Sequence, residues 1–383
     1  MDTSLIITLL FYVLVVSLVV INRKKFKVES KILFLYRTKK GTELMKRLSK
    51  SKLQKCIWTI LSTVFILFAV YFAFVGMSAL IENAIKIISR ETTVAGASLI
   101  LPGVKVPGGP FLPLFSGVIS IIFLAVVHEF SHGVVAFARN IKIKNAGFGF
   151  LLPLPIPLAF VEPDEKKIQK ARVIDRLRVY ASGSGMNILF AIFFMTLGAF
   201  YSVYLFNSPA IAPSGVDIFG VRDGALYEYG VPTSATIYSM NGVEVKDMLS
   251  FSNFMNNTVP GQNVLLETSA GEFEITLGEE EGNELGVLGG EFRQSYSANN
   301  FWGNILISLY NLIFWLGLLN FAIGLINFLP VLWITDGCKM VHDFLSYFTK
   351  KEDVQAILTN IIVGFCTLIL VINIIGPFIA GLF

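Results

Sequence analysis

Long apolar stretches alternate with polar segments along this 383-residue chain. A helix needs roughly 20 residues to cross about 30 Å of hydrocarbon, and six stretches come close to or exceed that length. They lie near residues 4–21, 56–81, 117–138, 179–207, 301–328 and 354–382. The pattern predicts a polytopic α-helical membrane protein with about six transmembrane helices. We expect the first to remain as an anchor, because no A-x-A cleavage pattern follows it.

Composition supports a membrane protein but adds little about its compartment. Hydrophobic residues make up 54% of the chain, charged residues only 15%, and the mean hydropathy is +0.67. A soluble globular protein of this length is usually less apolar. The three cysteines, Cys56, Cys338 and Cys366, form neither a C-x-x-C pair nor the pattern of a disulfide framework.

Charge is distributed unevenly between the polar segments. Residues 22–55 contain thirteen Lys or Arg and two Glu, and residues 139–178 contain nine basic and four acidic residues. The positive-inside rule therefore predicts that both segments are cytoplasmic. With six spans, both termini and the acidic segment 208–300 then lie outside. We expect a multi-pass protein of the cell membrane.

Residues 208–300 interrupt the apolar pattern with a polar, glycine-rich and β-prone segment, which is long enough for one small domain. The stretch YSMNGVEVKD (238–247) predicts a strand, an Asn-Gly turn and a second strand. NVLLETS and FEITLGE are further predicted strands, and SFSNFMNNT is a predicted short helix. We therefore divide the chain into two N-terminal transmembrane helices with a basic loop (1–81), a membrane core (82–207), this inserted domain (208–300) and the rest of the core (301–383).

The segment GFGFLLPLPIPLAFVEP (147–163) is apolar but contains four prolines, which exclude a regular helix. Non-helical backbone at membrane depth must be covered by protein or line a cavity. We predict strands or extended loops here, beside the third span.

The third span contains three ionisable residues in the stretch AVVHEFSHGVVAF (125–137). His128 and His132 are four residues apart and project from one face of a helix, with Glu129 rotated by about 100°. This is the H-E-x-x-H arrangement, in which two imidazoles bind zinc and the glutamate is a general base that activates water. An accidental match or a structural hydrogen bond is the alternative. That alternative is weaker inside a membrane, where a metal satisfies groups that water cannot reach.

A catalytic zinc site needs a third protein ligand. The remaining histidine, His342, lies in a stretch with the pattern of an exposed amphipathic surface. Asp336 in NFLPVLWITDGCK is the better candidate, because the helix break at Pro330 could fold it back toward the histidines. Asn187, inside the fourth span, is either a polar residue at the site or a hydrogen-bonding contact between helices.

These motifs together resemble the site-2 protease family of intramembrane zinc metalloproteases. HEFSH (128–132) occupies one span, Asn187 a later one, and N-x-x-P with Asp336-Gly337 follows in a third. The resemblance implies that His128, His132 and Asp336 bind Zn²⁺, that Glu129 activates water and that Asn187 lines the active site. The sequence departs from the family at two places. Ser184 replaces the proline of the Gly-Pro-x-x-Asn element, and five residues instead of four separate Pro330 from Asp336, an excess that a bulge could absorb.

The resemblance spans roughly residues 115–340 and extends to segments outside the motifs. FVEPDE (160–165) is similar to a strand and loop of prokaryotic and archaeal members, and MNGVEV (240–245) is similar to a turn of their PDZ-like domain. The resemblance implies a PDZ-like α+β domain at 208–300. It also implies substrates that span the membrane and have already been cut by another protease, and no nucleic-acid partner.

Two other functions remain open from the sequence. A CaaX-type membrane metalloprotease also carries H-E-x-x-H but usually takes a glutamate from a later helix as third ligand, and no intramembrane glutamate after Glu129 offers itself. A non-enzymatic module that binds a metal or a protein would keep the ligands without needing Glu129.

Overall fold

The computed structural model describes residues 3–29, 32–92, 94–106, 109–152, 156–221, 224–233, 235–280 and 283–380. The helices in these ranges are α1 Thr3–Ile21, α2 Lys39–Arg47, α3 Lys52–Ile88, α4 Leu114–Ala138, α5 Glu165–Gln169, α6 Val173–Phe206, α7 Ala225–Glu228, α8 Met248–Met255, α9 Phe301–Phe328, α10 Asp336–Leu345 and α11 Glu352–Ala380. The strands are β1 Lys27–Glu29, β2 Leu33–Arg37, β3 Ile143–Leu151, β4 Ile156–Pro163, β5 Ile211–Val221, β6 Thr236–Met240, β7 Val243–Glu244, β8 Asn263–Thr268, β9 Gly271–Thr276, β10 Gly278–Glu280, β11 Asn283–Val287 and β12 Gly290–Ala298.

Five of the described helices, α3, α4, α6, α9 and α11, are long and apolar enough to cross a membrane, which makes the chain a polytopic helical membrane protein. The first predicted span is a helix, but its apolar part is the shorter Leu5–Ile21. At 1.5 Å per residue this part is about 25 Å long, below the roughly 30 Å of the hydrocarbon layer. Five of the described helices therefore qualify as spans by length, and a sixth span at α1 stays a prediction.

Capping residues and proline in the local sequence determine where membrane helices begin and end. Helix α3 starts with a capping box, in which Ser51 and Gln54 each accept a hydrogen bond from the other's backbone N–H. Helix α9 ends before Pro330, which lacks the N–H needed to continue it. Small residues let the helices approach closely, because a Cβ on Gly324 of α9 would lie 3.1 Å from the Ser184 carbonyl of α6. Helices α4, α6 and α9 thus form a tight bundle.

A four-stranded antiparallel sheet in the order β1-β2-β3-β4 covers one end of this bundle. Strands β3 and β4 confirm the prediction for the proline-containing segment, of which residues 153–155 lie outside the described residues. Strand β4 packs against α4, the helix that carries H-E-x-x-H. Strands β1 and β2 come from the basic segment 22–55, where the sequence analysis predicts no strands. They extend the sheet on the side of β3, so that β4 remains at an edge.

A second sheet, in the order β12-β5-β6-β8-β9 with β7 paired to β6, is built from residues between α6 and α9. The predicted hairpin is confirmed, since Asn241 and Gly242 adopt positive φ angles of 49° and 74° between β6 and β7. The predicted short helix is α8. Apolar residues of these strands and of α7 and α8 form a separate core that includes Val216, Ile237 and Leu266. The PDZ-like character of this unit stays a prediction.

Candidate metal centre

Three buried side chains that lie far apart in sequence converge at the sheet-covered end of the bundle. His128 and His132 project from α4, and Asp336 is the first residue of α10. The Oδ2 atom of Asp336 lies 3.2 Å from Nε2 of His128 and 3.0 Å from Nε2 of His132. One possible ligand atom from each residue falls within 4.8 Å of the others. The structure therefore brings together all three metal ligands that the sequence predicts.

The contact that each histidine makes through Nδ1 determines the direction in which its Nε2 atom points. Nδ1 of His132 lies 2.6 Å from the carbonyl oxygen of Val179, which can only accept, so Nδ1 donates and carries the proton. Nδ1 of His128 lies 3.4 Å from the amide nitrogen of Asn187, and the amide oxygen of Asn187 has no hydrogen-bond partner among the described residues. Because amide oxygen and nitrogen are interchangeable by a flip, that oxygen can accept the Nδ1 proton. Both Nε2 atoms then present lone pairs, as second-shell hydrogen bonds commonly enforce in metal sites.

The donor set fits a zinc ion. With both ring protons on Nδ1, Oδ2 of Asp336 has no hydrogen-bond donor in the described part of the chain. Two nitrogen lone pairs and a carboxylate oxygen would then face one another in a buried space, which is unfavourable without a cation. Zinc bonds of about 2.0–2.2 Å at tetrahedral angles separate ligand atoms by about 3.3 Å, close to the separations from Oδ2 observed here. Histidine and carboxylate are also the ligands that catalytic zinc takes.

A glycine on α6 provides the space that the imidazoles occupy. A Cβ on Gly183 would lie 2.8 Å from Nε2 of His128 and would collide with Nε2 of His132. Both nitrogens belong to the proposed metal site, so even a methyl group at this position would intrude on it. The next helical turn brings Asn187 to His128. The predicted Gly-x-Gly-x-Asn stretch, residues 183–187, thus packs directly against the histidines, within a helix that Ser184 does not interrupt.

Asp336 reaches the histidines through a turn and not by continuation of α9. Leu332 and Trp333 adopt positive φ angles of 58° and 56°, which is uncommon for residues other than glycine. The hydroxyl of Thr335 donates to the carbonyl of Leu329 at 2.7 Å and closes the turn. Residues 332–334 project outward and are exposed. This excursion accommodates the five residues between Pro330 and Asp336 while the ends of the turn stay close together.

Gly337 allows α10 to begin beside the end of α9. A Cβ at this position would lie 2.6 Å from the backbone carbonyl of Leu329 and would collide with the carbonyl oxygen of Phe328. Backbone geometry therefore explains why a glycine follows the aspartate. The aspartate supplies the carboxylate, and the glycine permits the backbone approach that places it.

Glu129 lies beside strand β4. Its Oε2 atom accepts a hydrogen bond of 3.0 Å from the backbone N–H of Val161. The glutamate side chain is only partly buried, whereas the three metal-ligand candidates are buried. A carboxylate in this position can be reached by water and by a chain segment that lies along the strand.

Comparison with known proteins identifies the family. The model of peptidase family M50 matches residues 116–371, which include all of these residues. This chain belongs to peptidase family M50. An uncharacterized protein of Methanocaldococcus jannaschii is 26% identical over 359 residues, covering 92% of this chain and 89% of the relative. As an M50 peptidase, the protein is a membrane metalloprotease of a zinc-dependent family.

The structure of this M50 peptidase also shows residues that the sequence reasoning missed. The Lys339 ammonium donates to Oδ1 of Asp336 at 3.1 Å and leaves Oδ2 for the histidines. Arg176 of α6 forms two hydrogen bonds of 2.7 Å with Asp343, which anchors α10 to α6. The signal for Lys339 is its i+3 spacing from Asp336, but the pairing of Arg176 and Asp343 spans 167 residues and has no local signal.

His342, the histidine that the sequence placed outside the site, is not part of the cluster. Its Nδ1 lies 3.3 Å from the hydroxyl of Thr359 on α11. It therefore joins two helices of the M50 fold and contributes no atom to the metal centre.

Proposed function

We propose that this M50 peptidase hydrolyses peptide bonds within membrane-spanning helices of other proteins, with Zn²⁺ held by His128, His132 and Asp336. The observation that carries the proposal is the convergence of the three ligand atoms in a buried pocket that lies next to a strand edge. The pocket supplies a place for a metal, and the edge supplies a place for an unfolded stretch of substrate.

The residues around the site have separate roles in this proposal. A zinc ion in this position would polarise the substrate carbonyl and lower the pKa of water. Glu129 accepts the proton of the attacking water and returns it to the amine that leaves. Val179 and Asn187 hold the two imidazoles in orientation through their Nδ1 atoms. Asn187 therefore acts on His128, whereas the sequence suggested more generally that it lines the site.

The edge of β4 that pairs with no described strand is the proposed docking site for substrate. The N–H of Val161 points to Glu129, so it points away from β3. In an antiparallel pair the backbone groups of every second residue face the same edge, so Ala159 also faces outward. A helix hides its carbonyls in internal hydrogen bonds and must unwind before it is cut. The unwound stretch can then pair with β4 as an added strand, which brings its carbonyl past Glu129.

The orientation and the inserted unit complete the proposal. The basic segments 22–55 and 139–178 are proposed to be cytoplasmic, which places the metal centre toward the cytoplasmic side and residues 208–300 outside. We further propose that this outer unit is PDZ-like and restricts access to substrates that another protease has already shortened. Residues 208–300 contain thirteen acidic and three basic residues, a net charge of −10. Acidic residues have little influence on orientation, so the support for an extracytoplasmic location comes from the lack of positive charge in comparison with the two basic segments.

Measurements of zinc content and of cleavage on the same purified samples test the proposal. The full-length protein is prepared without chelator, and a membrane-spanning model substrate is supplied in the same detergent. We expect about one zinc per chain in the wild type and in Glu129→Gln, but a loss of roughly 10²–10⁴-fold in cleavage rate for Glu129→Gln. Asp336→Ala should lose both zinc and cleavage, and His342→Ala, the control, should keep both.

The outcomes separate the proposal from its alternatives. Wild-type cleavage by Glu129→Gln would rule out its role as general base. Zinc that persists in Asp336→Ala would mean that another residue is the third ligand, as in a CaaX-type enzyme. Zinc binding without cleavage of any membrane-spanning substrate by the wild type would favour a non-enzymatic module.

A further inference from the structure

Five lysines from separate parts of the chain surround one cavity of about 370 Å³. They lie on α2, in the turn between α2 and α3, at the N-terminal end of α3, just before β3 and on α5. The set is Lys46, Lys50, Lys55, Lys142 and Lys167, and we call this cavity with its lysines the lysine site. Phe137 of α4 and Ile141, three residues after its end, also line the cavity, and no acidic side chain among the described residues does.

The charge of the lysine site is not balanced by the protein. None of the five lysines forms an ion pair with a described acidic residue, and Lys55 donates instead to the amide oxygen of Asn140 at 3.0 Å. Arginines near the same end of the bundle are paired, since Arg139, Arg172 and Arg178 all contact Asp175. One aspartate is thus shared by three arginines, and neither of its carboxylate oxygens pairs with a lysine of the site. Five like charges around one cavity repel one another, and a multivalent anion removes that repulsion.

We propose that the lysine site binds a phosphate-bearing anion. Phosphate offers several acceptor oxygens, which suits a ring of ammonium donors from several directions. The cavity lies at the N-terminal end of α3, a helix long and apolar enough to cross a membrane. If that end is cytoplasmic, as proposed above, the cavity faces the lipid headgroups of the cytoplasmic leaflet. Basic pockets in that position bind anionic headgroups in membrane proteins. The phosphate can therefore come from an anionic lipid or from a soluble molecule.

The lysine site is connected to the catalytic helix. Met45, the neighbour of Lys46, packs so closely on Gly133 that a Cβ there would collide with its sulfur. Gly133 follows His132 directly in α4. An anion that bridges Lys46 to Lys142 and Lys167 therefore ties α2 to the elements that flank the β3–β4 hairpin, and holds Met45 against the helix of the metal ligands.

The test measures binding through the unfolding temperature, a readout that does not depend on proteolysis. Full-length protein is placed in nanodiscs of neutral phosphatidylcholine and titrated with inorganic pyrophosphate, with potassium chloride of equal ionic strength as reference. A second arm replaces part of the lipid with phosphatidylglycerol. The test variant is Lys142→Gln/Lys167→Gln, and the matched control is Lys39→Gln/Lys40→Gln, which removes two exposed lysines of α2 that lie outside the cavity.

We expect the anion to raise the unfolding temperature of the wild type and the control equally. A lysine contributes roughly fivefold to binding of an anionic headgroup surface, and with the same factor for pyrophosphate the test variant should need about 25-fold more of it for the same rise. A rise with pyrophosphate identifies a soluble phosphate compound as able to fill the site, and a rise only with phosphatidylglycerol identifies a lipid headgroup. The proposal would be overturned if pyrophosphate acted only as chloride does and phosphatidylglycerol gave no rise, or if the test and control variants responded equally in the arm that gives the rise.

Discussion

Replacement of Gly183 by alanine is the most direct perturbation of the metal centre that leaves every ligand in place. The added Cβ would lie 2.8 Å from Nε2 of His128, well inside normal van der Waals contact, and would collide with His132. The imidazoles have little freedom to retreat, because Nδ1 of His132 is held by the Val179 carbonyl at 2.6 Å. Overpacking of this kind costs about 1–3 kcal/mol. Since the strained atoms are the ligand nitrogens, we expect zinc affinity to fall by about 5- to 150-fold.

The same helix supplies a matched control. In Gly198→Ala the new Cβ would meet only Cγ2 of Ile313, at an ordinary distance of 3.5 Å. Both substitutions gain the same helix propensity, about 0.8–1.0 kcal/mol, so the difference between them reports the site alone. Zinc affinity is measured by competition with a chelator, and unfolding temperature is measured on the metal-free proteins. Wild-type zinc affinity in Gly183→Ala would refute the inference that Gly183 makes room for the ligand nitrogens.

Two further predictions concern the anchoring of α10 and the inserted unit. Asp343→Asn should lower the unfolding free energy by about 3 kcal/mol and weaken zinc binding, because it breaks the largely buried pair that anchors the helix of Asp336. Asp343→Asn leaves Arg176 buried without its charge partner, so the double variant Arg176→Met/Asp343→Leu should recover part of that loss. Additive losses in a double-mutant cycle of the two residues would contradict the anchoring role. Replacement of residues 208–300 by a short linker should preserve cleavage of a model substrate and widen substrate choice, since the Asn299 N–H bonds the Ala210 carbonyl at 2.9 Å and the two ends already meet. Loss of all cleavage in a variant that still binds zinc would argue against a gating role.

Local patterns in the sequence predicted much of the secondary structure and the chemistry of the site. Hydrophobic runs gave the positions of the five long membrane helices, and helix periodicity put His128 and His132 on one face. Proline excluded a helix at residues 147–163, where β3 and β4 are found. Asn241 and Gly242 gave the hairpin. Each of these features depends on residues a few positions apart, so it can be predicted from one short stretch of sequence.

Features that depend on distant contacts were decided only by the tertiary structure. The Asp336 carboxylate meets the histidines because a turn with two positive φ angles accommodates an extra residue, and the amino-acid types of Leu332 and Trp333 do not indicate such angles. The hairpin of β1 and β2 exists because β3 offers it an edge. Glu129 finds the Val161 N–H only after β4 has packed on α4. Sequence alone pointed to the residues proposed to be catalytic, whereas long-range packing determined which oxygen, which nitrogen and which strand edge they meet.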